Sequence, residues 1–98
     1  MSGSQLGERI KMLRESQNLY LRHVATALKM DTAQLSKIEN GQRVLNRKHI
    51  PALARLLKAN GDELMTLWLA DQIYEVVRGE KNASEAIQLI KCKFNGNK

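Results

Sequence analysis

The stretch Thr32-Ala33-Gln34-Leu35-Ser36-Lys37-Ile38-Glu39-Asn40-Gly41 constrains this chain more than any other. At 100° per residue on a helix, Leu35 and Ile38 fall on one side, while Ala33, Ser36, Lys37 and Asn40 fall on the other with Thr32 at its edge. The outer face is thus built from short hydroxyl, methyl and amide groups and one cation. Such a face is poorly suited to making a core, but it can lie close against another surface. Asp31 stands where a carboxylate can accept from the free N–H groups of a helix first turn, and Gly41 where a residue free to take positive φ ends it.

The segments on either side also read as short helices. Leu6, Ile10 and Leu13 repeat at helical spacing, which predicts a first helix from a Ser4 cap to about Gln17, carrying Arg9, Lys11 and Arg14. Asn18 interrupts, and Leu21, Val24, Ala25 and Leu28 form a second stripe. Leu28-Lys29-Met30-Asp31 leaves room for little more than a tight turn before the third helix begins at Thr32. Gln42 to Lys48 is basic and lacks helical periodicity, so it reads as a loop. Ile50, Leu53, Ala54, Leu56 and Leu57 then make a fourth helix with Pro51 in its first turn, closed by Asn60-Gly61. Asp62 is the expected cap of a fifth helix running to Arg78, and a sixth spans Ala83 to Phe94, capped by Asn82 or Ser84.

Charge narrows the partners. Sixteen Lys and Arg against ten Asp and Glu give +6, which favours a polyanion. With 43% apolar and 27% charged residues, 98 residues suit one globular domain with a real core. Cys92 is the one cysteine, which excludes an internal disulfide, and with only His23 and His49 beside it no zinc ligand set is expected. Cys92 itself reads as a solvent-side bystander. No apolar run approaches the roughly 20 residues of a membrane span, and Met1-Ser2-Gly3-Ser4 lacks the regions of a signal peptide, so a cytoplasmic chain is expected. No nucleophile–base pair, paired carboxylates or phosphate loop is visible, which leaves an enzyme the weakest class, with neither cofactor nor small-molecule ligand expected.

From Leu6 to about Leu69 the chain resembles the helix-turn-helix domain of the phage-repressor and Cro type, also called the xenobiotic response element family. The residues that carry the likeness are Leu6-Gly7-Glu8-Arg9-Ile10, Leu13-Arg14, Val24-Ala25-x-x-Leu28, Leu35-Ser36-Lys37-Ile38-Glu39-Asn40-Gly41, Leu53-Ala54-x-x-Leu57 and Asp62-Glu63-Leu64. The resemblance implies an all-α fold, a five-helix repressor-type domain with an additional C-terminal helix, and double-stranded DNA as partner. It places the third helix in the major groove by its N-terminal part, so that Thr32, Ala33, Ser36 and Lys37 are the expected base contacts. Lys37 can donate to guanine O6 and N7, and the Thr32 and Ala33 methyls can touch a thymine methyl.

Expected backbone contacts are Arg22, Gln34, Asn40, Arg43, Arg47 and Lys48. Asn40, the N–H groups near Gly41 and the Arg43 cation resemble the family's phosphate clamp. The family pairs the acid at Glu39 with an arginine of the first helix, here Arg14, as a structural ion pair. The chain departs from the pattern at the start of the second helix, where Leu21 replaces a phosphate-binding glutamine; Tyr20 or Arg22 can substitute, or Tyr20 can simply pack. At the turn, Lys29 replaces a glycine and has to accept positive φ.

The fifth helix has two apolar faces, Leu64, Leu67 and Trp68 on one and Met65, Leu69, Ile73, Val76 and Val77 on the other. The sixth adds Ala83, Ala86, Ile87, Ile90 and Phe94. The expected organisation is a DNA-binding domain over residues 4–70, a dimerising extension over 71–94 and a flexible tail over 95–98. The expected homodimer interface is Leu69, Ile73, Val76, Val77, Ile87, Ile90 and Phe94, with fold-back of the sixth helix onto the fifth as the alternative. The functional expectation is a homodimeric, sequence-specific repressor acting by operator occupancy. The alternative is a protein-interaction module, antitoxin-like, with secondary or no DNA binding.

Overall fold

In the computed structural model, which describes residues 4–96, the chain is all-α: α1 (Gln5–Ser16), α2 (Leu21–Leu28), α3 (Thr32–Glu39), α4 (Ile50–Leu57), α5 (Gly61–Val77) and α6 (Ala83–Gly96). The Ser4 hydroxyl accepts from the Gly7 N–H at 2.8 Å and starts α1. Asn18, at φ 58°, ends it by taking the left-handed region. Lys29 does the same after α2 at φ 59°, with its own N–H bonded to the Thr26 carbonyl and the Met30 N–H to the Ala25 carbonyl. The glycine-free turn is therefore closed by an L-residue in a conformation that costs about 1 kcal/mol.

Helical periodicity turns directly into packing. Ile10, Val24, Leu35, Ile50, Leu53, Leu57 and Leu64 are almost fully buried, drawing every helix from α1 to α5 into one core. Burial of a side chain of this size contributes about 1.5–3 kcal/mol. α1 lies against α3, α4 and α5, whereas α2 lies against α3 and α4. The contact between α1 and α3 is unusually close. A Cβ on Gly7 would meet the carbonyl oxygens of Ile38 and Glu39 at 2.5 and 2.7 Å, so only a glycine lets the two backbones approach this far.

Several expected boundaries are corrected. Asp31 occupies the N-cap position of α3, but its carboxylate makes no capping bond; its carbonyl alone accepts from Leu35. Asn60-Gly61 does not close α4. Lys58 does so at φ 55°, Asn60 instead caps α5 by accepting from the Glu63 N–H at 3.0 Å, and Asp62 lies inside α5. The cap passes to Asn60 because a side chain just ahead of the first turn reaches its N–H groups, whereas one within the turn does not. The basic segment is not wholly irregular: Arg47–His49 forms a 3-10 turn, capped by Asn46 accepting from the Lys48 N–H, and Leu45 is buried in the core. α6 runs to Gly96, two residues into the stretch expected as tail; residues 97 and 98 lie outside the described residues.

The second half of α5 and all of α6 stand apart from the core. Leu64 is the one fully buried residue of α5, with Met65, Leu67 and Trp68 half-buried against the core. Leu69, Ile73 and Val76 are exposed, Val77 is half-buried, and α6 buries no residue. The fold-back alternative is not realised, since Ile87, Ile90 and Phe94 remain exposed. Yet α5 is tied across its middle to the start of the chain. The Asp71 carboxylate accepts from the Ser4 hydroxyl at 3.0 Å and from the Gln5 and Leu6 N–H groups at 2.9 and 3.1 Å, capping α1 from a helix more than sixty residues away.

Candidate nucleic-acid interface

The α2–turn–α3 unit is held from behind, which leaves its front free. α3 buries Leu35, Ile38 and Glu39 and exposes Thr32, Ala33, Lys37 and Asn40; Ser36 and Gln34 are half-buried at the margins of that face. Among the described residues Lys37 has no ion-pair partner, so its ammonium is available to an outside acceptor.

Glu39 points the other way. Its carboxylate receives the Arg14 guanidinium in a fork, Nε to Oε2 at 2.8 Å and Nη2 to Oε1 at 3.1 Å. Arg14 Nη1 donates onward to the Leu19 carbonyl at 2.9 Å, joining α1, α3 and the α1–α2 connection in one network. Both residues are buried, Arg14 to 8% and Glu39 to 6% exposure. The hydrogen bonds to Glu39 raise the Arg14 pKa above its ordinary value. A raised arginine contributes stability that is fully present below its unfolded pKa and is lost as pH rises through the folded one, so Arg14 keeps its charge and this contribution through the neutral range.

The expected phosphate clamp needs correction. The Gly41 and Gln42 N–H groups are consumed by the C-terminus of α3, donating to the Ile38 carbonyl at 3.1 Å and the Lys37 carbonyl at 2.8 Å, and Gly41 adopts φ 78°. A Schellman-type ending satisfies α3's own orphan carbonyls and leaves those groups unable to hold a phosphate. What remains at this position is the exposed Asn40 side chain, the helix C-cap, and the exposed Arg43.

At the start of α2, Tyr20 does not pack inward: it is 60% exposed, with the Arg22 guanidinium 4.6 Å above its ring and the His23 ring 5.4 Å away. His23 Nδ1 accepts the Tyr20 N–H at 3.1 Å. Leu21 is half-buried against the core, which explains why no polar side chain stands there. Arg47 lies over the Trp68 ring at 5.3 Å, and Lys48 is exposed beside it. Between α3 and this segment runs a cleft of about 530 Å³ lined by Gln34, Arg43, Arg47, Lys48 and His49 and by no carboxylate.

Some of these contacts had no signal in helical spacing. The Trp68 indole N–H donates to the Leu45 carbonyl at 2.7 Å, and Gln17 Nε2 to the Leu57 carbonyl at 2.6 Å. A half-buried indole N–H needs an acceptor, but nothing in the spacing along the chain points to the Leu45 carbonyl as its partner.

A short helix, a tight turn and a second helix with an exposed outer face, braced by three further helices, define a helix-turn-helix protein. A family model described as "Helix-turn-helix domain" matches residues 5–67, from the start of α1 into α5 and well over half of the chain. The chain belongs to that family and carries a DNA-binding domain. No curated protein and no solved structure matches it. No helix among the described residues is long and apolar enough to cross a membrane.

Proposed function

We propose that the chain is a sequence-specific regulator of transcription of the phage-repressor and Cro type, a homodimer that represses by occupying its operator. The observation that carries this reading is the division of α3: a buried side of Leu35, Ile38 and Glu39, and an exposed side of Thr32, Ala33, Lys37 and Asn40 next to exposed cations. Thr32, Ala33, Ser36 and Lys37 read base edges; Arg22, Gln34, Asn40, Arg43, Arg47 and Lys48 hold phosphates. Residues 4–70 form the reading unit and residues 71–94 dimerise through Leu69, Ile73, Val76, Val77, Ile87, Ile90 and Phe94, setting half-sites about 34 Å apart. The activity is binding rather than catalysis.

Selection of bound duplexes from a random pool tests the reading. The expected product is a palindromic site, with affinity falling steeply as salt rises. Lys37→Ala is expected to cost about 1–3 kcal/mol and relax preference at one position, whereas Arg43→Ala weakens all sequences alike. A Lys37→Ala protein with unchanged preference and a flat salt response sinks it. Exposed Leu69, Val76, Leu89 and Phe94 favour a second reading, a partner-binding module in which DNA binding is secondary or lost. That reading holds if no duplex is enriched.

A further inference from the structure

We propose that Trp68 is a positioning residue of the DNA interface, holding the segment after α3 so that the carboxylate-free cleft receives a backbone phosphate before any DNA arrives. The inference rests on the DNA-reading function proposed above and names one of its phosphate sites.

Trp68 belongs to α5, outside the helix pair that reads bases, yet it makes two contacts with the segment that follows α3. Its indole N–H bonds the Leu45 carbonyl at 2.7 Å, and its ring lies beneath the Arg47 guanidinium at 5.3 Å. Between Gln42, whose N–H ends α3, and Asn46, which caps the 3-10 turn, residues 43–45 have no helical bonds of their own to define their path. Their place comes from the Leu45 side chain, 2% exposed in the core, and from the indole bond to the same residue's carbonyl. A cation resting on an aromatic face gives up less rotamer freedom when a phosphate arrives than one swinging in water.

The cleft supplies the ligand's chemistry. Arg43, Arg47 and Lys48 line it together with Gln34 of α3, and no Asp or Glu does. Three cations without an internal counter-ion fit an anion, and the Gln34 wall places that anion beside the reading helix. A phosphate of the DNA strand flanking the bases read by α3 fits both conditions.

The test uses the full chain and its selected duplex. Trp68→Phe keeps a ring under Arg47 and removes the donor. Affinity is expected to fall roughly five- to tenfold, with base preference unchanged and the slope of log affinity against log salt shallower by about one. Arg47→Met should give the same shallower slope, and the double variant little further loss, because the two act through one site. In the unmutated protein Trp68 is the one tryptophan, so its emission should change on saturation with duplex, and that change should vanish in Arg47→Met. A folded Trp68→Phe protein with wild-type affinity and slope overturns the proposal, as does an emission unmoved by saturating duplex. In either case wild-type binding to the duplex leaves the DNA-reading function standing; absence of any duplex binding removes both.

Discussion

A guanidinium buried to 8% exposure is tolerable only while every donor it aims inward is met. Arg14 meets Glu39 twice and the Leu19 carbonyl once, so the residue fastens α3 to α1 at the level of individual hydrogen bonds. Glu39→Ala strands that charge and is expected to lower unfolding free energy by about 3–5 kcal/mol. Arg14→Met combined with Glu39→Leu should cost markedly less, because it removes both charges and leaves only the Leu19 carbonyl unmet. Urea denaturation of the three proteins checks this; a double variant as unstable as Glu39→Ala would show that the pair contributes more than charge balance.

At the scale of elements, α3 is too short to hold its own position by helical bonds and takes it from its neighbours. One of these neighbours is α1, whose Gly7 lies against the carbonyls at the end of α3. Gly7→Ala forces its methyl against the Ile38 and Glu39 oxygens at 2.5 and 2.7 Å, and both are backbone atoms that a rotamer change cannot move. The expected loss is about 2–3 kcal/mol despite alanine's better helix propensity. Calorimetry checks the sign: an alanine variant as stable as the parent would mean that α1 and α3 can part without cost.

Across the whole molecule, α5 is the element that joins parts. Its N-terminal half completes the core through Leu64, Trp68 reaches the segment after α3, and Asp71 caps α1. Beyond Asp71 it continues with Ile73 and Val76 exposed at 46% and 78%, followed by an α6 with nothing buried. The proposed homodimer covers these residues, and the hydrogen bonds from Asp71 to the start of α1 join this half of α5 to the reading domain. Ile73→Asp with Val76→Asp leaves the core untouched, so helix content should hold while sedimentation shifts from dimer to monomer and affinity for a palindromic site drops. An unchanged sedimenting mass would remove this face from the interface.

The sequence by itself determined that helices stand where α1 to α4 do and how α3 divides into buried and outward residues, because periodicity acts between residues a few positions apart, while the left-handed turn at Lys29 followed from the resemblance of the surrounding motif. The pairing of Arg14 with Glu39 was also within reach, through the acid's place on the apolar side and the resemblance of the surrounding motif. Tertiary structure alone decided the rest: which carbonyls Gly7 approaches, where Asp71 and Trp68 find their partners, and that the N–H groups beside Gly41 are spent on α3's own end. Each of these joins or consumes polar groups whose partners are set by how helices dock. Spacing along the chain carries no record of that geometry.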